Sequence, residues 1–162
     1  MIFFAPHFSS SNLFPKVIQF GDHPITPAPV VRNLGVTLDQ KLSFNQHVSS
    51  ICRTCYLELG RIRSVRHLLS ENATKTLICA FVLSRLDYCN ALLSRCPNNL
   101  LNRLQKMLNN AARLIFQCSR NTHVTPILWS LHWLPVKKRI QCKLSVLFFK
   151  SFDSSAPDYL SD

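Results

Sequence analysis

The stretch 98–117, NNLLNRLQKMLNNAARLIFQ, constrains the fold more than any other part of the chain. Its apolar residues Leu101, Leu104, Leu108, Ala111 and Ile115 are spaced three, four, three and four apart, one face of a helix. Leu100, Met107 and Leu114 widen that face. Arg103, Lys106, Asn110, Arg113 and Gln117 fall on the opposite side at the same spacing, with no acid among them. A helix of this kind buries its apolar back and leaves a basic front. That front has two readings: a solvated face, the usual one for such helices, or a stripe laid along a polyanion. Its steps rise about 4.5–6 Å along the axis, which is compatible with successive phosphates without requiring them.

The rest of the chain supplies partners for that back. From Ser43 onward the apolar period is helical and predicts at least five helices. SFNQ at 43–46 matches a capping box, with Ser43 and Gln46 satisfying each other's backbone. Val48, Ile51, Cys52, Cys55, Leu59 and Ile62 then share a face that runs to about Leu69, with Gly60 weakening the helix near its middle. Ser70 caps a helix whose face is Leu77, Ala80, Phe81 and Ser84. RLDYCN at 85–90 marks a helix end or a kink, and Pro97 separates it from the stretch described above. Thr125-Pro126 reads as a cap followed by proline at the first position of a short helix over 126–131. Pro135 opens a last helix with Ile140, Leu144, Leu147, Phe148 and Ser151 on one face. Lys137, Lys138, Arg139, Lys143 and Lys150 make a further basic surface there.

Before Ser43 the chain reads differently. Its first 40 residues hold five of the nine prolines and suggest extended pieces at 2–4, 16–20 and 30–38. Gly21-Asp22 is a turn signal, and Gly35 marks a bulge or a close backbone approach. The expected architecture is mainly α (α+β): a helical, thumb-like bundle with a short N-terminal antiparallel β remnant. The expected divisions are a β-rich segment 1–42, a helical domain 43–153 and a tail 154–162.

Lysine and arginine number 19 against 8 acids, a formal charge of +11 and a pI near 9.8. That balance points to an anionic partner. Seven cysteines, an odd number, fall mostly in apolar helical patterns and read as buried thiols in a reducing, intracellular setting rather than as disulfides. MIFFAPHFSS has no basic n-region and does not read as a secretory signal. The longest apolar run, LICAFVL at 77–83, is far short of the roughly 20 residues a bilayer span needs, so no membrane partner is expected.

Motifs for chemistry are scarce. Cys52-x-x-Cys55 has no second ligand pair for a closed zinc site and lies on an apolar helix face, where core cysteines are the ordinary occupants. There is no Gly-x-Ser-x-Gly elbow, and three glycines leave no phosphate-cradling loop. His132, between Leu131 and Trp133, reads as a packed, hydrogen-bonded side chain rather than a base. Tyr88, Trp129 and Trp133 lie outside the basic stripe and read as partly buried, leaving no aromatic interleaved with it. The eight acids are dispersed, with no Asp-Asp pair for two-metal phosphoryl transfer. Asp39 and Asp87 are far apart in sequence, and nothing in it argues that they meet. The residues themselves show no active site and call for no cofactor.

Several segments, taken together and in order, resemble a family. These are VRNLGVTLD at 31–39, LSFNQHV at 42–48, SRLDYCNAL at 84–92, Leu104-Gln105, NNAARL at 109–114, HVTPIL at 123–128, SLHWLPV at 130–136, Arg139-Ile140 and APDYLS at 156–161. The set is similar to the region after the catalytic palm in reverse transcriptases of non-LTR, LINE-type retrotransposons. The resemblance is collinear and covers roughly the whole chain. It implies a palm end followed by a helical thumb and connector that grips a template–primer duplex, with Gly35 near the primer-grip turn. The family's Tyr/Phe-Ala-Asp-Asp motif, with the aspartates that hold its magnesium, has no counterpart here, nor do its fingers and endonuclease. The chain thus looks like a fragment of an RNA-directed DNA polymerase. Its expected role is at most non-sequence-specific binding of RNA or an RNA/DNA duplex through Arg103, Lys106, Asn110, Arg113, Lys137, Lys138 and Arg139. A helical protein-interaction module and the product of a non-functional reading frame are the alternatives.

Without paired carboxylates, primer extension by the purified chain with template–primer, magnesium and nucleotides is predicted to yield no product. Metal- and nucleotide-dependent extension that survives controls for contaminating polymerase would contradict this.

Overall fold

The computed structural model describes residues 17–26 and 28–153. It is mainly α with a small antiparallel β part. The expected strand at 2–4, the family-like segment at 156–161 and the tail 154–162 lie outside the described residues. The chain divides into two compact units, Met1–His47 and Val48–Asp162.

In the first unit, β1 (Ile18–Phe20) pairs antiparallel with β2 (His23–Ile25), and β3 (Val30–Asn33) pairs antiparallel with β4 (Val36–Asp39). Phe20 opposite His23 leaves Gly21-Asp22 as a two-residue turn, as the sequence suggests. The expected single extended piece over 30–38 is instead a hairpin, with Asn33 opposite Val36. Gly35 is not a bulge. Leu34 (φ 45°) and Gly35 (φ 82°) are both left-handed, the geometry whose twist matches that of the flanking strands. Strand alternation hides such a turn because its first residue is an ordinary leucine.

The expected capping box at Ser43 does not form, because an anion replaces it. The Asp39 carboxylate accepts from the amides of Lys41 (3.1 Å), Ser43 (3.0 Å) and Phe44 (3.0 Å), and from the Ser43 hydroxyl (3.0 Å). Burial pushes this carboxyl's pKa up, but the four hydrogen bonds outweigh it and hold it below its ordinary 3.8. Ser43 Oγ in turn accepts from Asn45, where the first long helix starts. His47 ends this unit. Its imidazole is buried, meets the Phe44 ring edge-on at 6.5 Å, and accepts the Thr37 amide at Nδ1 (3.3 Å).

The second unit is a bundle built on α4 (Asn98–Ile115). Its predicted back is buried, from Leu100 and Leu101 to Leu114 and Ile115, and includes Ala112. The helix stops two residues short of Gln117. Cys118 N–H reaches back to Arg113 C=O (3.0 Å) while Gln117 turns left-handed (φ 52°), a six-to-one closure that takes Gln117 out of the basic face. Helix α1 (Asn45–Val65) runs through Gly60 and buries Val48, Cys52, Cys55, Leu59 and Ile62. A 3-10 turn, Arg66–Leu68, follows it.

Ser70 caps α2 (Glu71–Ile78) as expected, accepting the Ala73 amide at 3.2 Å, but the buried face is not the expected one. Ala80, Phe81 and Ser84 are exposed, and Thr74, Ile78, Val82 and Leu86 point inward. Steps of four drift by about 40° each on a regular α-helix, at about 100° per residue. A π-helical segment, Cys79–Leu83, joins α2 to α3 (Ser84–Asp87) and takes up that drift. Cys89 then turns left-handed (φ 51°) into a 3-10 helix, Asn90–Arg95, so RLDYCN is a helix end.

α5 (Val124–Ser130) begins two residues earlier than the Thr-Pro signal implies. Pro126 becomes its third residue, tolerated there because first-turn amides have no intrahelical acceptor. Its end is a second six-to-one closure, Trp133 N–H to Leu128 C=O (2.8 Å), with His132 left-handed (φ 56°). The turn throws His132 into solvent and buries Trp133, so the packed histidine of the sequence reading is an exposed one. Trp129 is also exposed, at 77%.

α6 (Val136–Phe152) buries only Val136 and Ile140. Its expected face does not continue as core: Leu144, Leu147 and Phe148 are exposed, as are Phe149 and Phe152. Among the described residues, no helix is long and apolar enough to cross a membrane.

Burial lowers the His47 pKa below its ordinary 6.5. The unfolded chain therefore binds more protons than the folded one through that range, and stability rises with pH. The contribution is full above about pH 6.5 and is lost as pH falls through the lower folded value; Asp39 acts separately, below its ordinary 3.8. Hydrogen-exchange protection of the Thr37 amide, corrected for intrinsic rate, is predicted to fall from pH 7 towards 5. In His47→Asn, whose amide oxygen accepts without titrating, it should stay flat. An equal fall in the variant would assign the effect to another group.

Candidate nucleic-acid interface

Helices α1 and α4 set two rows of side chains against each other. Ser49, Cys52, Arg53 and Tyr56 from α1, with Arg103 and Lys106 from α4, line a groove of about 360 Å³. On α1 these residues recur at helical spacing beside the buried face. On α4 they are the front of the amphipathic helix. Three cations from two walls thus converge, with no carboxylate in the lining. Arg103 donates to Ser49 Oγ (3.1 Å), and Asn110 Nδ2 donates to the Tyr56 hydroxyl (3.3 Å), so the walls are tied at both levels.

The groove holds an aromatic that the sequence reading lacked. Tyr56 is 43% exposed and stands among the cations. Its place on α1 is readable from spacing alone, but which side of α1 meets α4 is not. Cys52 closes the floor. Burial pushes its thiol pKa up while the Arg103 charge pulls against that rise, and Cys55, deeper in the core, is pushed up to about 11. Both stay protonated at neutral pH, as core thiols and not nucleophiles. All seven cysteines are free thiols, but the expected burial holds only for these two. Cys79, Cys96 and Cys118 are half-buried, and Cys89 and Cys142 are exposed.

The remaining candidate residues stand elsewhere. Arg113 donates through Nε and a terminal nitrogen to Thr122 C=O (3.3 and 3.0 Å), holding the loop after α4. Lys137 and Lys138 are exposed on the first turn of α6. Arg139 is largely withdrawn from solvent: its guanidinium meets Asp87 Oδ2 at 2.6 Å and Leu134 C=O at 2.9 Å. Arg66, which the sequence did not single out, caps the C-terminus of α4, donating to Leu114 C=O (3.1 Å) and Ile115 C=O (2.6 Å).

These bonds show what several family-like residues do in the fold. Asp87, of the SRLDYCNAL segment, pairs with Arg139 of the Arg139-Ile140 pair. Gln105 receives the Val136 amide on Oε1 (2.8 Å) and donates to Asn109 (2.7 Å), joining α4 to the first turn of α6. Asp39 builds the turn before α1. Those side chains serve as joints of the framework. Among the described residues, no group of three or more histidine, cysteine or acidic side chains is placed to hold a metal ion. No family model, curated protein or solved structure matches the chain.

Proposed function

We propose that the chain is a nucleic-acid-binding module similar to the thumb of LINE-type reverse transcriptases. On this reading it takes the phosphate backbone of RNA or an RNA/DNA duplex along the α1–α4 edge and has no polymerase activity of its own. The observation that carries the reading is the groove in which Arg53, Arg103 and Lys106 converge without an acid. The ordered family-like segments and the net charge of +11 support it. Cations spread over two helix walls suit a repeated polyanion, and phosphate contacts of this kind position a protein without reading sequence. Lys137 and Lys138 extend the basic surface, whereas Arg113 and Arg139 act mainly within the fold. The free thiols fit a reducing, intracellular compartment. One observation favours a second reading, a protein-interaction module: the exposed phenylalanines of α6. Partner capture that survives nuclease treatment, with no nucleic acid recovered, would favour that alternative.

Phosphate neutralisation releases counterions, so affinity should fall steeply with salt, with a log–log slope near 0.9 per phosphate on duplex DNA. Arg53, Arg103 and Lys106 changed together to Gln keep good helix propensity and leave the apolar faces intact. Binding is predicted to weaken about equally across sequences, with the slope falling by up to about 3. Unchanged affinity and slope in a folded triple variant would reduce the groove to a solvated face.

A further inference from the structure

We infer that the α1–α4 groove is a site for an unpaired nucleotide, in which the Tyr56 ring stacks on the base while Arg53, Arg103 and Lys106 hold the flanking phosphates. This inference rests on the proposed function and narrows its ligand to single-stranded polynucleotide.

Three features converge on it. The first is size: about 360 Å³ falls at the lower end of small-ligand sites, the scale of one nucleotide. The second is composition. An aromatic ring bordered by cations from both walls provides stacking and phosphate neutralisation together, the pairing that single-strand sites use. The third is fixation. Asn110 holds the Tyr56 hydroxyl at 3.3 Å, so the ring is kept in place before a ligand arrives and less rotamer freedom is lost on binding. A duplex offers this groove its phosphates only, because its bases are stacked on one another. A single strand can turn a base outward onto the ring. Every base has a π-face, so the site should tolerate sequence.

The test is fluorescence anisotropy with labelled 12-nucleotide single-stranded RNA and DNA, and with a duplex of the same length, at one salt concentration. The single strands should bind more tightly than the duplex. Tyr56→Phe should keep single-strand affinity within about twofold. Tyr56→Leu should lose roughly 5- to 150-fold on single strands, the range of one base–aromatic stack, with duplex affinity little changed. Circular dichroism checks that the helices persist. An oligomer abasic at every position tests the unaltered protein and should bind as weakly as the duplex. Equal losses on both substrates, no loss in Tyr56→Leu, or undiminished abasic binding would overturn the stacking site. If the Arg53, Arg103 and Lys106 variant still loses affinity in that case, the phosphate reading stands. If it too is silent, both fail.

Discussion

Burial of the back of α4 is the interaction on which the second unit depends. Leu104, Met107, Leu108, Ala111, Ala112 and Ile115 have no solvent exposure, and α2, α5 and α6 all pack against this helix. Truncating one such leucine to alanine typically costs about 2–5 kcal/mol, a large part of a small domain's stability. The pair Ala111-Ala112, near the C-terminal end of the helix, is also fully buried. Among the described residues, no other helix of the unit is buried over so much of its length, so α4 serves as the frame to which the others are fitted.

The polar groups of α4 complete that frame. Its last carbonyls receive Arg66, a cation placed where the helix dipole favours one. Gln105 supplies an acceptor to the first amide of α6, which has no partner within its own helix. Arg113 anchors the loop that follows. Two groups of cations therefore stand apart. Arg66, Arg113 and Arg139 satisfy carbonyls or a carboxylate inside the unit, while Arg53, Arg103 and Lys106 face a groove. Net charge alone does not separate these groups. The second group lines an open groove between two helices.

Much of this architecture was legible in the chain. The three-four spacing of Leu101, Leu104, Leu108, Ala111 and Ile115 predicts both the helix and its buried side, and Ser70 marks a true helix start. What escaped depended on events that spacing does not encode. The π segment let residues four apart, Thr74, Ile78, Val82 and Leu86, stay inward through α2 and α3, where the expected face was Leu77, Ala80, Phe81 and Ser84. The left-handed residues Gln117 and His132 ended helices without the glycine that usually signals such a turn, and Leu34 took the first left-handed place in its hairpin ahead of Gly35. Asp39 displaced Ser43 as the organiser of its turn because a carboxylate accepts several amides at once. On α6 the apolar pattern was real, but its residues beyond Ile140 are exposed, so a helical period identified the helix without identifying its cover. The candidate site was half legible. Arg103 and Lys106 follow from the front of α4, whereas Arg53 and Tyr56 joined them only through the packing of α1 on α4.

The proposed function places an anionic partner along α1 and α4. Photo-crosslinking of a 4-thiouridine-substituted RNA to the intact chain, with the modified peptides mapped by mass spectrometry, tests it most directly. Crosslinks concentrated in the α1 peptide around Arg53 and Tyr56 and the α4 peptide around Arg103 and Lys106 are the predicted result. Crosslinks confined to α6 or to the β-hairpins, with none on α1 or α4, would contradict it.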